Sequence, residues 1–173
     1  MGRTKWVEDH DWERQELNYT RLLMPQAITP GVAPFRLPDE CPEGVAHHLK
    51  LAFALYWLDG GSCANRLRVA AESILTDRGV ALYPKTGKRR PLTFSTRIGR
   101  FASSHPDLQH YLDAVRWLGN AGSHSGPVGV SDSDILHAFE IFEHLLDQLY
   151  VRREQRLRNA ARSIARRKGK PRR

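Results

Sequence analysis

The sequence predicts an all-α protein: a bundle of about five helices, preceded by an N-terminal arm and followed by a basic C-terminal tail. Two observations carry this reading. Apolar residues recur at three- and four-residue steps in five separate segments, the spacing of one helix face. No segment alternates apolar and polar residues at period two, the pattern of a half-buried strand. A length of 173 residues bounds the rest, being enough for one core with tails. Hydrophobic residues at 40% and charged residues at 27% fit a globular chain.

In chain order, residues 4–24 read as a short helical arm, with Trp6, Trp12, Leu17, Leu22 and Leu23 set among charges. Six prolines and glycines between Pro25 and Pro42 then forbid a helix and make a surface connector. A first bundle helix is expected over 43–58, on Val45, Leu49, Ala52, Phe53 and Tyr56, stopped by Asp59-Gly60-Gly61. The second, 62–78, uses Leu67, Ala70, Ala71, Ile74 and Leu75 and ends at Gly79. A turn-rich loop separates it from a third helix over 92–101. The fourth, 107–120, carries Leu108, Tyr111, Leu112, Val115 and Leu118 and ends among Gly119 and Gly122. The last opens with Ser131 and Asp134 in capping-box spacing and runs down Ile135, Ala138, Phe139, Phe142, Leu145, Leu146 and Leu149. Beyond Tyr150 a helical extension to about Arg167 is expected, with the terminal GKPRR disordered. The divisions are thus 1–42 for arm and connector, 43–150 for the helical domain and 151–173 for the tail.

The formal charge of +8 is unevenly placed. Residues 151–173 hold eleven Lys/Arg and one acid, a net of +10, which leaves about −2 for everything before them. Cys41 and Cys63, in a chain whose N-terminus lacks an apolar signal core, read as reduced thiols of a cytoplasmic protein. No run approaches the roughly 18 to 20 apolar residues of a membrane span.

The stretch RWLGNAGSH concentrates the chemistry. Arg116, Asn120 and His124 follow one another at steps of four, about 40° apart around a continuing helix. A guanidinium, an amide and an imidazole together can hold a phosphodiester and move its proton. The same residues can also end a helix: Asn120 on backbone groups, Gly122 at positive φ, His124 on the C-terminal dipole. Arg68 and Glu72 lie one turn apart in NRLRVAAESIL. As a surface ion pair they are worth only tenths of a kcal/mol. Partly buried, Glu72 could instead orient Arg116 or His124 across the helix pair.

The tail, RREQRLRNAARSIARRKGKPRR, has no aromatic residue, so its Arg152, Arg153, Arg156, Arg162, Arg166 and Arg167 suit phosphates and not bases. Lys85, Lys88, Arg89 and Arg90 make a smaller basic cluster on the central loop. Cys41, His47, His48 and Cys63 lack the close ligand pairs of a structural zinc site, and no metal or other cofactor is expected. Walker, Rossmann and GxSxG signatures are absent, which excludes those enzyme classes.

Three of these pieces carry a resemblance: RVAAE (68–72), GNAGSH (119–124) and the order of segments from Cys41 to Tyr150. The chain resembles the "domain of unknown function 4145" family of bacterial restriction and phage-defence proteins, itself similar to the HEPN helical superfamily. That resemblance implies a HEPN-like bundle and a homodimer. It also implies metal-independent RNA cleavage, in which the 2′-hydroxyl attacks and a cyclic phosphate is left. Carried over, His124 is the general acid/base, Asn120 positions the phosphate and Arg116 neutralises developing charge. The chain departs from the superfamily's pattern: Gly119 stands where an arginine usually precedes the polar residue, and seven residues separate Arg116 from His124. The expected function is therefore a metal-independent endoribonuclease or toxin-type effector, RNA-directed or in phage defence. The alternative is a non-catalytic HEPN-like adaptor that docks a partner or antitoxin protein and binds nucleic acid through its tail.

Overall fold

A computed structural model describes residues 2–11, 16–25, 31–86, 90–123 and 129–167. Two strands come first, β1 (Gly2–Asp11) and β2 (Glu16–Pro25), paired antiparallel with Trp6 opposite Arg21 and Glu8 opposite Tyr19. This corrects the helical arm expected over 4–24. Thr4, Trp6, Val7, Tyr19 and Thr20 are β-branched or aromatic and favour pleated backbone. The charges between them leave no apolar stripe that a helix could bury. Trp6 and Tyr19 are themselves exposed, so backbone pairing holds this ribbon.

The regular elements described after it are all helical: α1 (Glu43–Tyr56), α2 (Gly60–Asp77), α3 (Phe94–Ala102), α4 (Gln109–Ser123), α5 (Asp132–Leu146) and α6 (Arg153–Arg166). The periodicity reading of an all-α domain is met. Local chemistry sets the starts. The Asp59 carboxylate accepts from the Gly61 and Ser62 amides at the head of α2, and those bonds, with the Ser62 hydroxyl foremost, hold its carboxyl below the usual range. Thr93 caps α3 and Ser131 caps α5, each through its hydroxyl to the third residue on. A short 3-10 turn, Pro106–Leu108, leads into α4.

Helix α2 is the central element, packing on α1, α3, α4 and α5. Its small and branched residues, Cys63, Ala64, Leu67, Ala70, Ala71, Ile74 and Leu75, are all buried. The proline-rich connector is tied to this core and does not simply cross the surface. Phe35 packs edge-on against Phe53 of α1 at 5.2 Å and near Phe139 of α5 at 6.5 Å. The Trp57 indole donates to the Val32 carbonyl at 3.1 Å. Cys63 lies fully buried with its thiol on the Ala52 carbonyl, and burial pushes that thiol up to about 12. It is a packing residue and not a nucleophile.

After α5 the helix widens into a π-turn, Asp147–Val151. Tyr150 donates to the Asp77 carboxylate at 2.8 Å and so clamps this turn to the end of α2. Arg152 then adopts a left-handed conformation (φ 49°), and the chain leaves the bundle as α6. Leu157 and Ile164 on α6 are exposed, so that helix buries no face of its own. Among the described residues no helix is long and apolar enough to cross a membrane.

Candidate functional site

The site is made by the crossing of α2 and α4. These helices run antiparallel, and glycines let them touch. A Cβ on Gly122 would stand 2.6 Å from the Gly61 carbonyl oxygen, and one on Gly119 would stand 2.6 Å from the Arg68 Cβ. Neither distance is possible between real atoms, so both glycines are required by the approach of the neighbouring helix. The stem of Arg68 therefore lies directly over Gly119, and its guanidinium is carried to the next residue along. Its Nη1 donates to the Asn120 Oδ1. Its Nε donates to Glu72 at 3.3 Å. The buried Phe94 ring, at the head of α3, lies 5.4 Å from the guanidinium carbon.

Arg68 and Glu72 are thus an i,i+4 pair, half-buried (29% and 34%), that reaches across to α4 and engages Asn120. Arg116 also lies on α4, one turn before Asn120, but its contacts lead elsewhere. Its Nε donates to Asp113 at 3.1 Å, and its guanidinium stands 4.2 Å from the centre of the Trp117 ring. Glu72 is taken up by Arg68, and no described contact joins it to Arg116. Helix α4 ends at Ser123, and His124 falls outside the described residues.

Two residues that the sequence reading passed over, Arg97 and Trp117, belong to this neighbourhood. Arg97 on α3 is 1% exposed, the one charged side chain fully buried among the described residues. It donates to the Thr76 hydroxyl at 2.7 Å and to the Val80 carbonyl at 3.1 Å. Its Nε has no hydrogen-bond partner among the described residues. Burial pulls its pKa down, and the nearby Glu72 carboxylate pushes it back up. A signal for this existed. Arg97 falls three residues after Phe94 and four before Phe101, squarely on the apolar stripe of its helix. Trp117 is the other, inside the RWLGNAGSH stretch.

The basic residues proposed for nucleic acid are spread over the surface. Arg90 is exposed on the loop before α3, while Lys88 and Arg89 fall outside the described residues. Arg152, Arg153, Arg156, Arg162 and Arg166 are exposed on or beside α6, and Arg167 is half-buried, with its Nε on the Ser163 carbonyl. Arg156 also approaches Glu40 at 3.9 Å, a solvent-exposed pair worth little. His48 receives the Arg66 guanidinium at 3.3 Å and packs edge-on to His47. Among the described residues, no three His, Cys, Asp or Glu side chains gather closely enough to hold an ion.

Chemically, the α2–α4 crossing offers one oriented guanidinium, one amide and one carboxylate, with an exposed aromatic ring one turn away. That set suits an anionic, hydrogen-bonding ligand. No curated protein and no solved structure matches the chain. The family described as "Domain of unknown function (DUF4145)" matches residues 50–167, well over half of the sequence. Spanning the middle of α1 to the end of α6 and both halves of the Arg68–Asn120 contact, this match makes the chain a member of the DUF4145 family.

Proposed function

We propose that the protein is a HEPN-like, metal-independent endoribonuclease that acts as an RNA-directed or phage-defence effector. The observation that carries the reading is the Arg68 guanidinium seated on Asn120 across the α2–α4 crossing. In the resemblance an arginine stands directly before the polar residue, where this chain has Gly119. Gly119 leaves room for an arginine from the neighbouring helix, so a guanidinium reaches the same amide from α2. Arg68 then takes the phosphate-neutralising role that the spacing alone gives to Arg116.

The reaction needs no metal and no cofactor. The RNA 2′-oxygen bonds to phosphorus, the bond from phosphorus to the 5′-oxygen breaks, and a 2′,3′-cyclic phosphate and a 5′-hydroxyl are left. His124 takes the 2′ proton, and a His124 supplies one to the leaving oxygen. Two copies in a homodimer would provide both. Asn120 donates its amide N–H to a phosphate oxygen, and Arg68, fixed by Glu72, offsets the charge that builds there.

The test is incubation of end-labelled single-stranded RNA with the protein in EDTA, beside His124→Ala and Arg68→Ala. Cleavage to a cyclic phosphate by the wild type, with loss of about 100-fold or more in each variant, is expected. Cleavage by His124→Ala at the wild-type rate sinks the assignment. A second reading, the non-catalytic adaptor, is favoured by α6, where Leu157 and Ile164 stand exposed between arginines. It predicts salt-sensitive RNA binding, unchanged in His124→Ala, with no product from either protein.

A further inference from the structure

Trp117 is 63% exposed on α4, although it is a residue type that normally seeks burial. It is not without context. The Arg116 guanidinium stands over it at 4.2 Å, and Asp113 holds that guanidinium from the preceding turn. Three residues further on, and so on the adjacent turn, is Asn120 with the Arg68 guanidinium attached. An open aromatic ring is therefore flanked by two oriented cations within about one helical turn.

We propose that Trp117 is a base-stacking platform, and that this site takes a single-stranded nucleic acid by one unpaired base and its adjoining phosphate. The inference rests on the RNA reading above and narrows its substrate class. A ring with one face against a guanidinium, and most of its surface in solvent, matches what binds a base without reading its identity. A base inside a duplex is already stacked and cannot reach such a ring, which selects single strands. The arginine-rich α6 has no aromatic residue and can only hold phosphates, so base contact has to come from the body of the protein. A second copy packed on Trp117 is the competing occupant. It would set Arg116 of one copy near Arg116 of the other, a juxtaposition that an anionic strand avoids.

The experiment measures binding of a fluorescent 2′-O-methyl oligoadenylate, which cannot be cleaved through its 2′-oxygen. Inorganic polyphosphate, an anionic chain without bases, is measured alongside. Trp117→Ala is expected to weaken the oligonucleotide roughly 5- to 150-fold and to leave polyphosphate unchanged. Trp117→Phe should recover most of the loss. Because the ring is exposed, both variants should keep the wild-type melting temperature. Equal loss on both ligands, or oligonucleotide binding unchanged in Trp117→Ala, overturns the platform and leaves the RNA reading standing. A fall in oligomeric mass in Trp117→Ala overturns it in favour of a contact between copies. Failure of the wild type to bind the oligonucleotide overturns both readings together.

Discussion

His48 holds a proton less readily than an ordinary histidine because burial, the Arg66 guanidinium and His47 all oppose its charge. Its folded pKa lies below the usual 6.5, so the unfolded chain binds the extra proton first. The folded state is therefore favoured above pH 6.5, and that contribution is lost as the pH falls from 6.5 toward the folded value. Urea unfolding followed across this window should show stability rising with pH. In His48→Gln that part of the slope should vanish. Arg97 belongs to the same scale. A buried guanidinium is tolerated because Thr76 and Val80 accept its hydrogen bonds and Glu72 supplies an opposing charge. It ties α3 to the end of α2, and so holds Phe94 beneath the Arg68 guanidinium.

At the scale of elements, the crossing of α2 and α4 is set by what is missing from two side chains. Gly119→Ala would drive a methyl into the Arg68 Cβ, an atom fixed to the backbone of α2 and unable to swing aside. The helices must separate, at a cost of about 1–3 kcal/mol. Arg68 moves off Asn120 with them. Gly99 makes the control. Nothing lies within 4 Å of the place its Cβ would take on α3, so Gly99→Ala should be neutral or stabilise by about 0.5–1 kcal/mol. Chemical denaturation of the two variants should therefore give opposite signs. Equal effects would mean that helix propensity, and not the close approach, explains Gly119.

For the whole molecule, charge separates the parts more sharply than structure does. The bundle and ribbon sum to about −2, and the last 23 residues to +10. On the proposed reading an RNA strand would be drawn to α6, while the Arg68–Asn120 contact sits in a nearly neutral body. Removing cations from α6 should weaken binding uniformly across sequences and flatten its salt dependence. Arg162→Gln and Arg166→Gln are expected to reduce the slope of log affinity against log salt by about 0.7 each on single strands. Titrations of oligonucleotide binding at several salt concentrations check this. An unchanged slope would show that these arginines touch no phosphate.

The sequence by itself determined the helices. Periodic apolar residues and the cap at Ser131 are local signals, and the bundle helices begin within a few residues of where those signals put them. It also marked the stretches that meet, since RVAAE and residues 119–123 of GNAGSH lie on the two helices of the crossing. It did not reveal the N-terminal ribbon, because strand pairing depends on partners across the turn, from Asp11 with Glu16 out to Gly2 with Pro25, and the charges interrupt the alternation that would announce it. Nor did it reveal which arginine serves Asn120. Spacing within one helix points to Arg116, four residues back. The partner is instead Arg68, 52 residues away, placed by a glycine contact between helices. Periodicity reports what one segment does with its own neighbours. Which side chain meets which across a packed interface depends on the missing volume at Gly119 and Gly122, and only the tertiary structure decides that.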